Sequence, residues 1–108
     1  MTETGVPEFG RFAEPALLIL VSLGEGPKHG YAIMTDIEQA TGRPIGPGTL
    51  YAALARLEER ELIEPLPPVE RRRPYRLTGL GASILEEQLT SLQAFATLGL
   101  QRLAEGSG

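Results

Sequence analysis

Arginine is the residue type whose spacing in this sequence most clearly suggests a chemistry, the binding of phosphates or of base edges. Arg56 lies within the segment 44–58, and Arg71, Arg72 and Arg73 follow one another in a proline-flanked loop. A guanidinium presents several N–H donors in one plane, which suits phosphate oxygens and the guanine edge. A run of charges is also typical of a solvated loop. The elements that carry these arginines therefore decide between the two interpretations.

Residues that would support catalysis or metal binding are few. The chain has no cysteine, and its single histidine, His29, stands between Lys28 and Gly30 with no second histidine to share a metal ion. A protein metal site needs at least three ligands. No serine lies in a nucleophile-elbow context, and no glycine-rich phosphate loop follows a strand. The sequence therefore predicts no enzyme, with no catalytic residue, metal or cofactor.

The segment 44–58 reads as the helix around which the domain is organised. Pro47 suits the first turn of a helix, and an apolar stripe follows it at helical spacing, Leu50, Leu54 and Leu57. The opposite face begins with small uncharged residues and then carries an arginine: Gly48, Thr49, Ala52 and Arg56. Such a face fits a helix that enters a DNA groove. The alternative is an ordinary amphipathic helix whose charges only keep it in solution.

The distribution of charge is compatible with DNA binding although the net charge is −4. Residues 43–76 contain seven arginines and five glutamates, whereas the remainder has three basic and nine acidic residues. The basic excess thus lies around the candidate groove helix and the arginine loop. Local charge, more than the total, determines whether a surface attracts a polyanion.

The order of predicted elements indicates the fold class. We expect a first, buried helix from near Phe9 or Glu14 to Leu23, and a second over residues 28–41, stopped by Gly42, with Ile33, Ile37 and Ala40 facing inward. The groove helix follows, and residues 62–66 and 75–77 are short strands around the arginine loop. This order predicts a mainly α fold with a small two-stranded β wing, a winged helix-turn-helix over residues 1–77 with a lead-in at 1–12.

A long helix is predicted from about Thr78, whose hydroxyl can cap it, to about Ala104. Its apolar residues form a coiled-coil-like seam with a neighbouring apolar face, and one small core cannot cover both. We therefore predict that residues 78–108 are a C-terminal dimerisation helix and tail. The alternative is that the helix folds back on its own domain. The predicted homodimer interface comprises Leu85, Leu89, Leu92, Phe95, Ala96, Gly99 and Leu103.

Three segments closely resemble the signatures of PadR-like transcriptional regulators. They are residues 26–31 (GPKHGY), residues 47–58 (PGTLYAALARLE) and residues 72–78 (RRPYRLT) with Gly81. The resemblance covers roughly residues 16–92 and implies the short subgroup, with one C-terminal helix. It also implies that DNA contacts involve Thr49, Tyr51 and Arg56, the start of the second helix near His29 and Tyr31, and the wing arginines. His29 either lies near a phosphate or caps the turn, and the sequence does not choose between these roles.

The first functional hypothesis is a cytoplasmic homodimeric repressor that binds double-stranded DNA at a pseudo-palindromic operator. The second is a winged-helix adaptor that binds protein through the same surface. A third, compatible with the first, adds a small apolar or aromatic effector at the dimer interface, although the sequence gives no chemistry for such a ligand. No membrane association is expected, because the longest apolar run is far too short to span a bilayer.

Overall fold

The computed structural model describes residues 14–107, so the lead-in at 1–12 and a helix start near Phe9 lie outside the described residues. Within these residues, four helices and three short strands follow one another in the order helix, strand, helix, helix, strand, strand, helix. They are α1 (Pro15–Leu23), β1 (Lys28–His29), α2 (Gly30–Thr41), α3 (Pro47–Glu59), β2 (Ile63–Pro65), β3 (Pro74–Leu77) and α4 (Gly79–Ser107).

Helix α1 forms the centre of the core, as its continuous apolar run predicts. Pro15 occupies the first turn, where its missing N–H costs no hydrogen bond. The helix contacts α2, α3, β3 and α4, and it buries Ile19, Leu20 and Leu23. Val21 is the exception, because it faces away from these neighbours and is exposed. The remaining buried apolar residues come from α2, α3, the junction after α3, β2 and α4: Ile33, Ile37, Leu50, Ala53, Leu54, Leu57, Leu62, Ile63 and Leu85.

Helix α2 begins at Gly30 and ends at Thr41, and the next residue, Gly42, caps it with a left-handed φ of 76°. Ile33 and Ile37 are buried as predicted. The prediction that Ala40 faces inward is wrong, because Ala40 is exposed along with the residues on both sides of it. The last turn of α2 therefore projects past the core into solvent.

The sheet at the base of the wing contains one strand more than the two that the sequence predicts. Residues Lys28 and His29 are extended and pair antiparallel with β3, so the sheet order is β1-β3-β2. Lys28 lies opposite Tyr75, and Ile63 on the other edge lies opposite Leu77. A two-residue strand carries no periodic pattern, and the sequence analysis therefore predicts that Lys28 and His29 belong to the first turn of the second helix. This strand ties the start of α2 to the base of the wing.

The junction between α3 and β2 is a helix-ending turn that uses a glutamate where glycine is usual. Glu61 has a φ of 64°, the N–H of Glu61 bonds to Glu58 O at 2.9 Å, and the N–H of Leu62 bonds to Leu57 O at 3.0 Å. This pair of bonds is the Schellman pattern, in which the left-handed position favours glycine. The turn directs β2 back along the core.

Helix α4 is joined to this same junction. The Thr78 hydroxyl accepts from Gly81 N at 2.9 Å, which confirms the predicted cap, and it donates to Glu61 O at 2.7 Å. Gly81 lies directly on the backbone of Leu62, the residue before β2, since a Cβ there would be 1.9 Å from Leu62 O. Only glycine permits this approach.

Beyond its first turns, α4 leaves the core. Gly81 and Leu85 are buried and Leu92 is half-buried, but Phe95 is 75% exposed and Leu103 is 70% exposed. Twenty-nine residues make a helix of about 43 Å, and within residues 14–107 the apolar side chains of its second half are left exposed. None of the helices described is both long and apolar enough to cross a membrane.

Candidate nucleic-acid interface

The exposed face of α3 has the composition that the sequence predicts. Leu50, Leu54 and Leu57 are buried, and Ala53 joins them, so the helix is fixed by one full apolar stripe. The opposite residues are exposed: Gly48, Thr49, Ala52 and Arg56. Because the first turns carry no long or charged side chain on this face, another surface can approach the backbone closely there. A single cation, Arg56, follows in the last turn of the helix.

A cleft of about 290 Å³ lies beside α3, between the start of α2 and the wing. It brings together all of the remaining predicted DNA contacts, which come from three separate parts of the sequence. Its lining consists of one histidine, three tyrosines, three arginines and one glycine: His29, Gly30, Tyr31, Tyr51, Arg71, Arg72, Arg73 and Tyr75. Cationic and phenolic donors around one concavity suit an anionic oxygen.

Tyr51 projects from α3 and packs over the first residue of α2. A Cβ on Gly30 would lie 2.3 Å from the Tyr51 hydroxyl oxygen and 2.8 Å from its Cζ. Glycine at this position therefore allows the ring to lie against the α2 backbone. The ring is still 51% exposed, and Tyr31, one residue further along α2, is 64% exposed. Both phenols are thus available on the same side of the domain.

His29 is the N-cap of α2, one of the two roles that the sequence leaves open, and its contact with DNA stays a prediction. Its Nδ1 accepts from the N–H of Ala32 at 3.3 Å, and its backbone is extended with a ψ of 168°. Its Nε2 lies 3.2 Å from Arg72 Nη1, so the same side chain also contacts the wing. The cap role does not remove His29 from the cleft.

The tip of the wing is a tight hairpin. Val69 and Arg72 exchange two backbone hydrogen bonds, of 2.7 and 2.9 Å, and the two residues between them, Glu70 and Arg71, have φ values of 51° and 70°. Two positive φ values in a two-residue loop are typical of a type I′ turn, which normally takes asparagine and glycine. The turn projects Arg71 and Arg72 into solvent, and both are exposed.

Arg73 differs from its two neighbours because part of its guanidinium is engaged within the wing. Its Nη1 donates to Leu66 O at 3.0 Å, which links the two sides of the loop. Arg76 is engaged as well, since its Nε lies 2.6 Å from Glu64 Oε2 on the adjacent strand. Among the described wing arginines, Arg71 and Arg72 are therefore the two whose guanidinium groups are not engaged within the wing, although that of Arg72 contacts His29.

Tyr75 lines the cleft although the sequence prediction did not include it among the site residues. Burial, and then the nearby Glu58 carboxylate and Tyr51, raise the pKa of Tyr75 above its ordinary value of 10.0, while Arg73 opposes them. The phenol is therefore a protonated donor at neutral pH. Strand periodicity contained the signal, because Tyr75 alternates with the exposed Arg76.

A polar network holds β1 and hence His29 in place. The Lys28 ammonium donates to Ser22 O and lies 2.6 Å from Glu25 Oε2 and 3.6 Å from Asp36 Oδ2. The Ser22 hydroxyl, on the buried side of α1, donates to Asp36 Oδ2 at 2.7 Å. One lysine thus connects α1, the turn that follows it, and α2. Within residues 14–107, no group of three or more histidine, cysteine or acidic residues is arranged to hold a metal ion.

The residues predicted for the dimer interface lie on α4, away from the cleft, and they divide into two groups. Leu85 is buried in the core of the domain, and Leu92 is half-buried but is not among the residues that pack against that core. The remaining predicted residues are exposed: Leu89, Phe95, Ala96, Gly99 and Leu103. The free part of the seam therefore begins about one turn later than the sequence pattern suggests.

Comparison with known proteins gives one consistent result. Residues 19–87 match the family described as the transcriptional regulator PadR-like family. The chain is also 46% identical over 82 residues to an uncharacterized 37.1 kDa protein from a transposon of Streptomyces fradiae. This match covers 76% of the chain but 24% of that protein, so the chain spans about a quarter of this relative's length.

Two solved structures resemble the chain over nearly their full length. A transcriptional regulator from Clostridium thermocellum has a TM-score of 0.73 and 27% identity, covering 91% of this chain and 96% of its own. A PadR family transcription regulator from Clostridium difficile has a TM-score of 0.72 and 26% identity, covering 84% of this chain and 99% of its own.

Proposed function

Because the chain belongs to the PadR-like family of transcriptional regulators, we propose that it is a cytoplasmic repressor that binds double-stranded DNA sequence-specifically as a homodimer. The observation that carries this proposal is a juxtaposition. A helix face whose first turns carry no charge and can be approached closely lies beside a cleft that contains three arginines and three tyrosines. A major groove and its flanking phosphates require these two surfaces side by side.

Helix α3 is the proposed reading helix. Thr49 and Ala52 on its exposed face suit hydrogen bonding and methyl contact with base edges, and Gly48 lets the backbone approach closely. Arg56 in the last turn then reaches a guanine edge or a phosphate that flanks the groove. This division assigns sequence discrimination to the start of α3.

The cleft is the proposed phosphate site. Arg71 and Arg72 extend from the hairpin tip, and Tyr31 and Tyr51 supply hydroxyl donors from the opposite wall. Contacts of this kind bind the backbone of any sequence and determine orientation on the duplex. The wing therefore contributes affinity that is lost as salt is raised.

The proposed dimer forms through the second half of α4. Phe95 and Leu103 are largely exposed, and an exposed apolar face that runs along half of a helix is typical of a protein–protein interface. Ala96 and Gly99 lie between them and are small enough for a second helix to pack closely. A second copy supplies a matching apolar face by symmetry. Leu85 is left out of this interface because its own core covers it.

A two-fold dimer implies a pseudo-palindromic operator. Its half-sites are expected on one face of the duplex, about 34–36 Å apart centre to centre. Repression then follows from occupancy of a promoter. A small apolar or aromatic effector at the dimer interface, which would release the repressor, is part of this proposal.

The experiment that tests the proposal is selection of bound DNA from a random pool with the whole chain. Enrichment of a sequence with a dyad supports a dimeric DNA reader. Enrichment of nothing, together with no binding to a mixed duplex at low salt, contradicts it and favours the protein-binding adaptor.

The dimer is tested separately by Phe95→Glu, with Thr97→Glu as the matched control on the polar face of the same helix. Phe95 is exposed in the protomer, so its replacement leaves the core intact while it places a charge in the proposed seam. We expect Phe95→Glu to sediment as a monomer and Thr97→Glu as a dimer. A wild-type chain that stays monomeric at high concentration would refute the interface.

A further inference from the structure

The hydrogen bonds around His29 cannot all be satisfied by one neutral imidazole. Its Nδ1 lies 3.3 Å from the N–H of Ala32, and its Nε2 lies 3.2 Å from Arg72 Nη1. Both neighbours are donors, because backbone amides and guanidinium groups have only N–H to offer. A neutral imidazole has a single acceptor nitrogen. One of the two contacts therefore lacks an acceptor.

The tautomer that caps α2 leaves two donors facing each other at the wing. When Nδ1 accepts from Ala32, the proton is on Nε2, and Nε2–H and the Arg72 guanidinium stand 3.2 Å apart with no lone pair between them. A third group with acceptor oxygens would satisfy both. A phosphate of a DNA backbone is such a group, and it brings a negative charge as well.

The other titratable and charged groups around His29 do not supply that acceptor charge. The cleft is completed by tyrosines from α2, α3 and β3 and by arginines from the wing, and its lining among residues 14–107 includes no carboxylate. The nearby Glu58 acts on Tyr75. Lys28, the preceding residue, has its ammonium at Glu25 and Asp36.

We infer that DNA binding by this protein is coupled to the uptake of a proton by His29, an inference that rests on the proposed function. Protonation of Nδ1 removes the hydrogen bond from the Ala32 N–H in the free protein and in the complex alike, so this loss does not contribute to the difference between the two states. What differs is the neighbour of Nε2. In the free protein it is the Arg72 cation, whereas in the complex it is a phosphate that accepts from both groups. The imidazolium is therefore favoured by bound DNA.

The composition of the chain makes this coupling measurable. His29 is the only histidine. Between pH of about 5 and 8, histidine is the side chain that ordinarily changes charge, with the α-amino group titrating near the upper end. A dependence of DNA affinity on pH in this window can thus be assigned by changing one residue.

The test measures affinity for a mixed-sequence duplex at fixed low salt across this pH range, because phosphate contacts do not need the operator. For the wild-type chain we expect the affinity to rise as pH falls, by up to about tenfold per pH unit. His29→Asn is the matched variant. Asparagine caps a helix well and donates an N–H, but it does not titrate, so its binding should be independent of pH.

A second measurement uses the wild-type chain alone. The ring C–H resonance of its one histidine, followed by NMR, should show that His29 stays protonated to higher pH in the complex than in the free protein. Calorimetry in two buffers of different ionisation enthalpy should show net proton uptake on binding.

Each alternative outcome is decisive. Wild-type binding that is independent of pH, or an identical pH slope in His29→Asn, overturns the coupling and leaves the proposed function standing. An unchanged histidine titration in the complex does the same. Absence of binding to the duplex at any pH overturns both.

Discussion

Gly81→Ala is the substitution for which the structure gives the largest expected loss of stability. The new methyl carbon would start 1.9 Å from Leu62 O and 2.8 Å from Leu62 C, whereas side-chain carbons in proteins essentially never come within 3.0 Å of such atoms. The obstructing atoms are backbone, so no rotamer change relieves the contact. Helix α4 or the start of β2 must move.

The cost can be worked out from what this movement disrupts. The Thr78 N–H bond to Leu62 O, at 3.1 Å, is stretched or lost, which costs about 0.5–1.5 kcal/mol. Leu85, buried one turn further along α4, is shifted in the core, and overpacking of this kind typically costs about 1–3 kcal/mol. We therefore expect the free energy of unfolding to fall by about 1.5–4.5 kcal/mol.

Urea unfolding at one fixed protein concentration measures this loss, with Gly79→Ala as the control. Gly79 lies in the same first turn of α4 and has nothing within 4 Å of a new methyl group, so its replacement should leave stability unchanged or raise it by up to about 1 kcal/mol. If the two variants unfold within about 0.5 kcal/mol of each other, α4 does not pack on the Leu62 backbone as described and the reasoning fails.

Three further expectations concern other parts of the molecule. Arg72→Ala should weaken binding to operator and mixed DNA alike and reduce the slope of log K against log salt by up to about 0.9. Arg76→Ala is the control, and it should change the slope less because its guanidinium is already paired with Glu64. Equal slopes in both variants would contradict the assignment of Arg72 to a phosphate. Glu61→Gly should raise the free energy of unfolding by about 0.5–1 kcal/mol because its φ of 64° suits glycine, and a loss of stability would refute this. The pKa of Tyr75 is raised in the folded protein, so as pH rises the unfolded chain loses the phenol proton before the folded chain does, and stability should fall as pH rises above 10.0. In thermal melts at alkaline pH, Tyr75→Phe should lessen that fall, and Tyr31→Phe should not.

Much of the architecture follows from local patterns. The stripe of α3, the apolar run of α1 and the cap at Thr78 are all encoded within a few turns of chain, and each appears as predicted. The exposure of Arg56 follows from the same periodicity. Local sequence determines such features because neighbours at i+3 and i+4 share a face whatever the rest of the fold does.

The features that the sequence did not predict depend on contacts between distant segments. Strand β1 exists because two residues meet β3 more than forty positions later, and no periodicity marks so short a pairing. Leu85 fits a dimer seam by spacing, yet it is buried because Gly81 lets α4 approach β2. The unmatched donors at His29 likewise arise only when the wing folds back beside α2.

The attachment of α4 to the end of α3 has a mechanical consequence. Thr78 holds Glu61, the residue that terminates α3, and Gly81 rests on the carbonyl that follows it, so the two helices share one short hinge-free joint. Because these contacts join the two helices directly, we expect a tilt of α4 to change the orientation of α3. In a dimer joined through the far ends of two α4 helices, each about 43 Å long, a change of a few degrees in the angle between these helices would change the distance between the two α3 helices by several ångströms.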